Sequence, residues 1–250
     1  METQYIKMYS HALGRDTECK IYGHGGRPVL FIPCQDGRFF DFENFKMTDV
    51  WAPWIENGDV MVFSIDTIDA ESWSNKGDDP YWRIRRYEAW IDYITCELVP
   101  FIRDTVNQRN GWDGYPGIMT FGCSLGATHA LNLYLRRPDL FDRTLALSGI
   151  YTASYGFDDY MDEVVYRNSP VDYLAGMPAD HPFIAEYNQH KGVVCVGQGA
   201  WEMTDTTHRI AELCDQKGIN LWVDFWGHDV HHDWCWWYKQ VPYFLPYLLG

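Results

Sequence analysis

Short apolar runs alternate along the chain with longer segments of helical periodicity. Continuous apolar runs at residues 28–33 and 60–65 are typical of strands that are buried on both faces of a sheet. The same reading predicts further strands at residues 4–10, 18–22, 117–122, 144–147, 193–197 and 221–225. Such runs in alternation with helices predict an α/β fold, with a mostly parallel central sheet and helices on both faces.

Helical spacing of apolar positions predicts helices at residues 81–109, 125–137 and 208–217. Pro100 is expected to bend or divide the first of them. Residues 233–249 are expected to be helical in places, with interruptions at Pro242 and Pro246.

A single domain is expected over residues 1–250, because the chain shows no internal repeat and no linker-like boundary. Residues 151–190 break the alternation and are rich in Tyr, Asp and Pro. Since ligands of open α/β sheets bind at the carboxyl ends of the strands, we expect this segment to be a small cap-like insertion over the active site.

Charge and cysteine content restrict the partners and the location. The formal net charge is −15, which repels phosphate backbones and anionic membrane surfaces, so neither nucleic acid nor membrane is expected as a partner. No apolar run reaches the length of a membrane span, and the N-terminus does not resemble a signal peptide. Seven scattered cysteines without a CxxC pair favour the reducing cytoplasm. The sequence leaves open whether the chain forms a homo-oligomer.

The strongest chemical signal is a Gly-x-Ser-x-Gly pattern formed by Gly122, Ser124 and Gly126. An apolar strand leads into it and an amphipathic helix leaves it, which is the context of a nucleophile elbow. We therefore expect Ser124 to be a nucleophile and the Leu125 amide to bind an oxyanion at the helix N-terminus. The alternatives are an inert serine in a glycine-rich turn and Cys123 as the nucleophile, although a buried structural cysteine is the simpler interpretation.

A general base is expected after the last apolar strand, because this fold places its residues in the order serine, acid, histidine. His232 begins the sequence His-Asp-Trp just before the final helix and is our candidate, with His228 as the alternative. A zinc site built from the dense cluster at residues 228–233 is a competing interpretation, but one short run cannot readily surround a tetrahedral ion.

The acid is less clear. The position usual for it, about three residues after the glycine that ends the strand at residues 193–197, is occupied by Ala200, which has no carboxylate. Glu202 is the nearest carboxylate and is the candidate, while Asp205 is the next one and is alternatively an N-cap of the following helix. A different acid, or none, remains open.

With these residues placed, the chain resembles the esterase family of the α/β-hydrolase superfamily, which includes S-formylglutathione hydrolases, feruloyl-type esterases and mycolyltransferases. The resemblance covers nearly the whole chain, and its most specific parts are the Gly122–Gly126 elbow and the His-Asp-Trp sequence at His232. It implies Ser124 as nucleophile and His232 as base, and the mycolyltransferase branch is similar in using a glutamate as acid, which favours Glu202. The loop after the strand at residues 28–33 stands where the superfamily often has His-Gly, which implies Gln35 as the second oxyanion amide.

These expectations predict a serine esterase that hydrolyses a small or aromatic carboxylic ester through an acyl-enzyme, without metal or organic cofactor. Two alternatives use the same chain. An acyltransferase would employ the same three residues, and a binding protein on a hydrolase scaffold would explain Ala200 at the usual acid position.

Overall fold

The computed structural model describes residues 1–114 and 117–250. An eight-stranded sheet runs through the molecule in the order β1-β2-β4-β3-β5-β6-β7-β8. Only the pairs β1–β2 and β2–β4 are antiparallel, and the five remaining pairs are parallel. The strands are β1 Thr3–Ser10, β2 Arg15–Tyr22, β3 Arg27–Ile32, β4 Val60–Ile65, β5 Ile118–Cys123, β6 Phe141–Leu147, β7 Lys191–Val196 and β8 Trp222–Phe225.

Eleven α-helices are assigned within the described residues. They are α1 Asp41–Asn44, α2 Met47–Glu56, α3 Pro80–Asp92, α4 Val99–Asn110, α5 Leu125–Arg136, α6 Ser154–Phe157, α7 Glu163–Tyr166, α8 Pro170–Gly176, α9 Pro182–Tyr187, α10 Asp205–Lys217 and α11 Trp234–Leu249. A 3₁₀ turn, Asp69–Glu71, follows β4, and a π-helical turn, Tyr93–Leu98, joins α3 to α4. None of these helices is both long and apolar enough to cross a membrane.

Side chains of the central strands fill two separate cores, one on each face of the sheet. In β3, Val29 and Phe31 join the core beneath α1, α2 and α11, whereas Leu30 and Ile32 join the core beneath α3, α4, α5 and α10. Every residue of β4 and β5 is buried. The continuous apolar runs of the sequence are therefore strands buried on both faces of the sheet, as predicted. The predicted α/β architecture is confirmed.

Helical structure departs from the prediction in two places. Helices α1 and α2 were not anticipated between β3 and β4. The long first helix is divided near Pro100, as expected, at the π-helical turn Tyr93–Leu98. The last helix is continuous from Trp234 to Leu249, with Pro242 and Pro246 inside it, so the predicted interruptions were wrong.

Packing explains the continuity of α11. Its inner face buries five large apolar side chains against the sheet, Trp237, Val241, Phe244, Leu245 and Leu248. Burial of such a side chain stabilises by about 1.5–3 kcal/mol, whereas a proline inside a helix costs about 3 kcal/mol. The five buried side chains therefore outweigh the two prolines.

The segment at residues 151–190 joins β6 to β7 and contains the four short helices α6 to α9. The guanidinium of Arg83 on α3 is buried and donates to the Gly156 carbonyl at 2.6 Å and to the Ser72 carbonyl at 2.9 Å. This clamp fixes α6 beside the loop that follows β4, and so determines where Tyr155 lies.

Candidate active site

Ser124 stands at the turn between β5 and α5. Its backbone has φ 57° and ψ −131°, a conformation that L-residues rarely adopt. The Ser124 amide donates to the Leu147 carbonyl at 2.9 Å, which continues the pairing with β6 beyond the end of the strand. The strained turn is thus held by the sheet on one side and by the start of a helix on the other.

Both glycines of the motif are required by close backbone contacts. A Cβ on Gly122 would lie 2.3 Å from the carbonyl group of Gly126. A Cβ on Gly126 would lie 2.3 Å from the carbonyl oxygens of Ile32 and Pro33 at the end of β3. Neither distance is sterically possible, so any larger residue would push the Ser124 turn away from its neighbours.

The imidazole of His232 lies between Ser124 and Glu202. Its Nε2 is 2.9 Å from Ser124 Oγ, and its Nδ1 is 3.1 Å from Glu202 Oε2. The His232 backbone amide donates to the Ala200 carbonyl at 3.0 Å, and the ring of Trp237 packs edge-on against the imidazole. A hydroxyl, an imidazole and a carboxylate therefore form one continuous hydrogen-bonded chain.

Glu202 is held from its far side. Its side chain is only 1% exposed, and Oε1 accepts hydrogen bonds from Ser148 Oγ at 2.8 Å and from the Gly197 amide at 3.1 Å. Ser148 Oγ in turn accepts from Trp237 Nε1 at 3.0 Å. Each oxygen of the carboxylate thus has a separate task, because Oε1 anchors the group and Oε2 faces the imidazole.

No role was predicted for Ser148 from the sequence. Ser148 follows β6 directly, and its amide donates to the Cys195 carbonyl of β7 at 2.7 Å. The available signal was the position of Ser148, a hydroxyl residue at the end of β6. That strand neighbours β7, which precedes the candidate acid Glu202. Trp237 carried no comparable signal, because a tryptophan in an amphipathic helix is ordinary core.

The other candidates for base and acid lie elsewhere. His228 and Asp229 are exposed, and His231 packs against Trp236 rather than against Ser124. Asp205 is exposed and is the first residue of α10, whose N-cap is Thr204, so its predicted capping role was wrong. Within residues 1–114 and 117–250, no group of three or more His, Cys, Asp or Glu side chains is arranged to hold a metal ion.

Cys123 is buried within the sheet, and burial raises the pKa of its thiol well above the usual value. The thiol therefore stays protonated and points away from solvent. This environment makes Cys123 a poor nucleophile.

The two residues expected to supply oxyanion amides lie in the loops that begin α5 and follow β3. Leu125 is the first residue of α5, so its amide belongs to the unpaired N-terminal donors of that helix. Gln35 lies two residues after Pro33, whose carbonyl lies against Gly126, and its side-chain Oε1 accepts a hydrogen bond from Tyr155 Oη at 3.2 Å. The loop after β3 therefore runs past the start of α5.

A cavity of about 130 Å³ opens beside these groups. It is lined by Ser124, Ser148, Ile150, Tyr155, Trp201, Met203 and His232. A larger cavity of about 300 Å³ lies over β2 and β4 among charged side chains such as Glu18, Arg38 and Asp66, and it touches neither Ser124 nor His232. The smaller cavity is therefore the one in contact with the hydrogen-bonded chain.

Comparison with known proteins identifies the family. The model of the family described as "Putative esterase" matches residues 10–246. Comparison with the curated proteins finds no significant match. Solved structures match at low identity, so they show the fold alone.

Three solved structures illustrate this similarity. A ferulic acid esterase is 17% identical with a TM-score of 0.73, and the match covers 99% of this chain and 98% of that one. An S-formylglutathione hydrolase from Agrobacterium tumefaciens is 14% identical with a TM-score of 0.72, covering 99% and 95%. The fluorophosphonate-binding serine hydrolase F of Staphylococcus aureus is 12% identical with a TM-score of 0.72, covering 100% and 98%. The chain therefore belongs to this esterase family and has the α/β-hydrolase fold.

Proposed function

We propose that the protein hydrolyses a small or aromatic carboxylic ester through an acyl-enzyme formed on Ser124. The observation that carries the proposal is the position of the His232 ring, with one nitrogen 2.9 Å from Ser124 Oγ and the other 3.1 Å from Glu202 Oε2. A serine, a histidine and a carboxylate in this order are the components of a catalytic triad on a nucleophile elbow.

The first half-reaction forms the acyl-enzyme. His232 Nε2 removes the Ser124 proton as Oγ attacks the ester carbonyl carbon, and the carbonyl electrons move to the oxygen. The amides of Leu125 and Gln35 donate to that oxyanion, while Glu202 stabilises the imidazolium. His232 then gives its proton to the leaving alcohol oxygen as the C–O bond breaks.

The second half-reaction restores the enzyme. His232 removes a proton from water as the water oxygen attacks the acyl carbon, and the proton then returns to Ser124 Oγ as the acyl–serine bond breaks. The result is one carboxylic acid and one alcohol for each ester and water consumed.

The size of the cavity supports a small acyl group. A cavity of about 150 Å³ is known to hold a benzene molecule, so the 130 Å³ beside Ser124 fits a short acyl chain or at most one ring. Trp201 lines the cavity and is 88% exposed, so water reaches this edge of the site, which favours water as acceptor over transfer to a second alcohol. The free cysteines are in keeping with a cytoplasmic location, which cell fractionation tests.

Replacement of the nucleophile tests the proposal. Ser124→Ala is expected to lower kcat for p-nitrophenyl acetate by several orders of magnitude, since triad members act as a unit. The variant should also fail to gain the mass of a fluorophosphonate probe. Cys123→Ala is the matched control, because it removes the neighbouring nucleophilic side chain and should leave labelling intact.

Near-normal turnover by folded Ser124→Ala would contradict the proposal, as would probe labelling at another residue. A panel of p-nitrophenyl esters of rising acyl length, run beside feruloyl esters and glutathione thioesters, then defines the acyl group. We expect kcat/KM to fall once the acyl group outgrows the cavity.

A further inference from the structure

A fully buried carboxylate, Asp69, lies outside the chain of Ser124, His232 and Glu202. Its side chain is 0% exposed and belongs to the 3₁₀ turn after β4. Oδ2 accepts the backbone amide of Asp36 at 3.2 Å, and Oδ1 is 2.9 Å from Nε2 of His129. A buried carboxylate of this kind requires partners, and here they join the loop after β3 to helix α5.

The hydrogen bonds around Asp69 have one consistent direction. His129 is 1% exposed, and its Nδ1 lies 2.9 Å from Tyr87 Oη, which also accepts from Asn132 at 3.5 Å. If Tyr87 donates to Nδ1, then the Nε2–H of His129 donates to Asp69. The network therefore delivers donors to the Asp69 carboxylate from both sides.

The other partner of Asp69 sits in a tight turn. The Gly37 amide donates to the Cys34 carbonyl at 2.9 Å, and Asp36 has φ 58°, the left-handed region. A left-handed residue at the third position of a β-turn, after a residue of negative φ, is the pattern of a type II turn. Gln35 occupies the second position, so its own amide takes no part in the turn's hydrogen bond.

Asp69 controls the peptide that follows Gln35. The bond from the Asp36 amide to Asp69 fixes the plane of that peptide, while Thr67 holds the far end of the turn through the Gly37 carbonyl, 3.1 Å from the Thr67 amide. Loss of the Asp69 carboxylate would therefore remove one of the two bonds that hold the turn from outside without detaching the loop. The Gln35 N–H, which belongs to the preceding Cys34–Gln35 peptide of the same turn, would shift as the turn moves.

We propose that Asp69, held by His129 and Tyr87, is a positioning residue that presents the Gln35 amide to the oxyanion. The inference rests on the proposed function, in which that amide stabilises the transition state. His129 stands on α5, five residues after Ser124, so the network also ties the second oxyanion donor to the helix that carries the first. Asp69 itself touches no reacting atom.

A double-mutant cycle tests this role. Asp69→Ala is expected to lower kcat for p-nitrophenyl acetate at least about tenfold with little change in KM, because a misplaced donor is lost mainly in the transition state. Gln35→Pro removes the amide proton itself, at a turn position that proline favours, and is expected to cost about 10²–10³ in kcat. In the Gln35→Pro background, Asp69→Ala should cost less than about twofold more, because the donor that it positions is already absent.

Two further variants separate positioning from folding. Glu88→Ala removes a partly buried carboxylate that bonds Arg136 on the same helix α5, and should lower the melting temperature without lowering kcat. If Asp69→Ala does not fold, Asp69→Asn replaces it in the cycle. Asparagine has a single side-chain oxygen, so it keeps either the bond from the Asp36 amide or the bond from His129 and loses the other in its original geometry.

Two results would overturn the inference. One is an unchanged kcat in Asp69→Ala, or in Asp69→Asn where that variant stands in. The other is an equal loss of kcat in the wild-type and Gln35→Pro backgrounds, which would mean that Asp69 acts independently of the Gln35 amide. The activity of Ser124→Ala distinguishes failure of this inference from failure of the proposed function. If only the inference fails, Ser124→Ala is still inactive, whereas if the proposed function fails, Ser124→Ala is active.

Discussion

Replacement of Glu202 by glutamine probes the acid, and the surroundings of Glu202 determine which way the new amide would face. Oε1 accepts two hydrogen bonds, from Ser148 Oγ and from the Gly197 amide, whereas Oε2 faces only His232 Nδ1. A glutamine that keeps its oxygen toward Gly197 must turn its NH₂ group toward His232. Nδ1 would then have to accept, which places the ring proton on Nε2, where it blocks removal of the Ser124 proton.

The opposite orientation is penalised by the same contacts. It would set an NH₂ group against the buried Gly197 amide, so that one donor is left unpaired at a cost of about 1–3 kcal/mol. That cost reduces the productive orientation about 5-fold to 150-fold, since every 1.4 kcal/mol is tenfold. Loss of the charge that stabilises the imidazolium adds to this reduction, and the amide replacement in a serine protease costs about 10⁴ in kcat. We therefore expect Glu202→Gln to lose at least about a hundredfold in kcat.

The assay is steady-state hydrolysis of p-nitrophenyl acetate by a variant with an unchanged circular dichroism spectrum. NMR of ¹⁵N-labelled histidine should show the His232 ring proton on Nδ1 in the wild type and on Nε2 in Glu202→Gln. Asp205→Asn is the control, because this exposed carboxylate begins α10 and should change kcat far less. A folded Glu202→Gln variant with wild-type kcat would refute the reasoning.

Two further predictions follow from the site. His232→Ala should lower kcat about as far as Ser124→Ala, while His228→Ala and His231→Ala should retain most of the activity. If His228→Ala abolished the activity instead, His228 would be the base and the assignment of His232 would be wrong. Iodoacetamide at pH 8 should leave activity intact, because burial raises the pKa of Cys123 and keeps its thiol protonated. Peptide mapping should find carbamidomethyl groups at the exposed thiols of Cys96 and Cys235 and none at Cys123. Alkylation of Cys123 would contradict the prediction and show that this part of the sheet opens.

Much of the fold was predictable because its signals are local. The strands have continuous apolar runs, and the pattern around Ser124 combines a strand end, two glycines and a helix start within a few residues. Helices α1 and α2 carry no such start signal, since neither has a side-chain cap hydrogen bond. The continuity of α11 depends on burial against the sheet, which overrides the local effect of its prolines.

The acid and the buried network needed three-dimensional information. Only two loop residues lie between Glu202 and Asp205, and the left-handed backbone of Trp201, with φ 67°, accompanies the turn of Glu202 toward His232. A tryptophan gives no sequence signal for that conformation. Asp69 meets partners 33 and 60 residues away, Asp36 and His129, so its role depends on contacts that periodicity does not describe.

The loops after β7 and β8 are joined to each other far more than either is joined to Ser124. The Gly199 amide bonds the Val230 carbonyl at 2.8 Å, Gln198 Nε2 bonds the Trp226 carbonyl at 2.8 Å, and the His232 amide bonds Ala200. The proposed acid and base are therefore positioned together by one pair of bonded loops, whereas Ser124 is positioned by the turn between β5 and α5. We expect a displacement of these loops to change the distance between His232 Nε2 and Ser124 Oγ before it changes the distance between His232 Nδ1 and Glu202 Oε2.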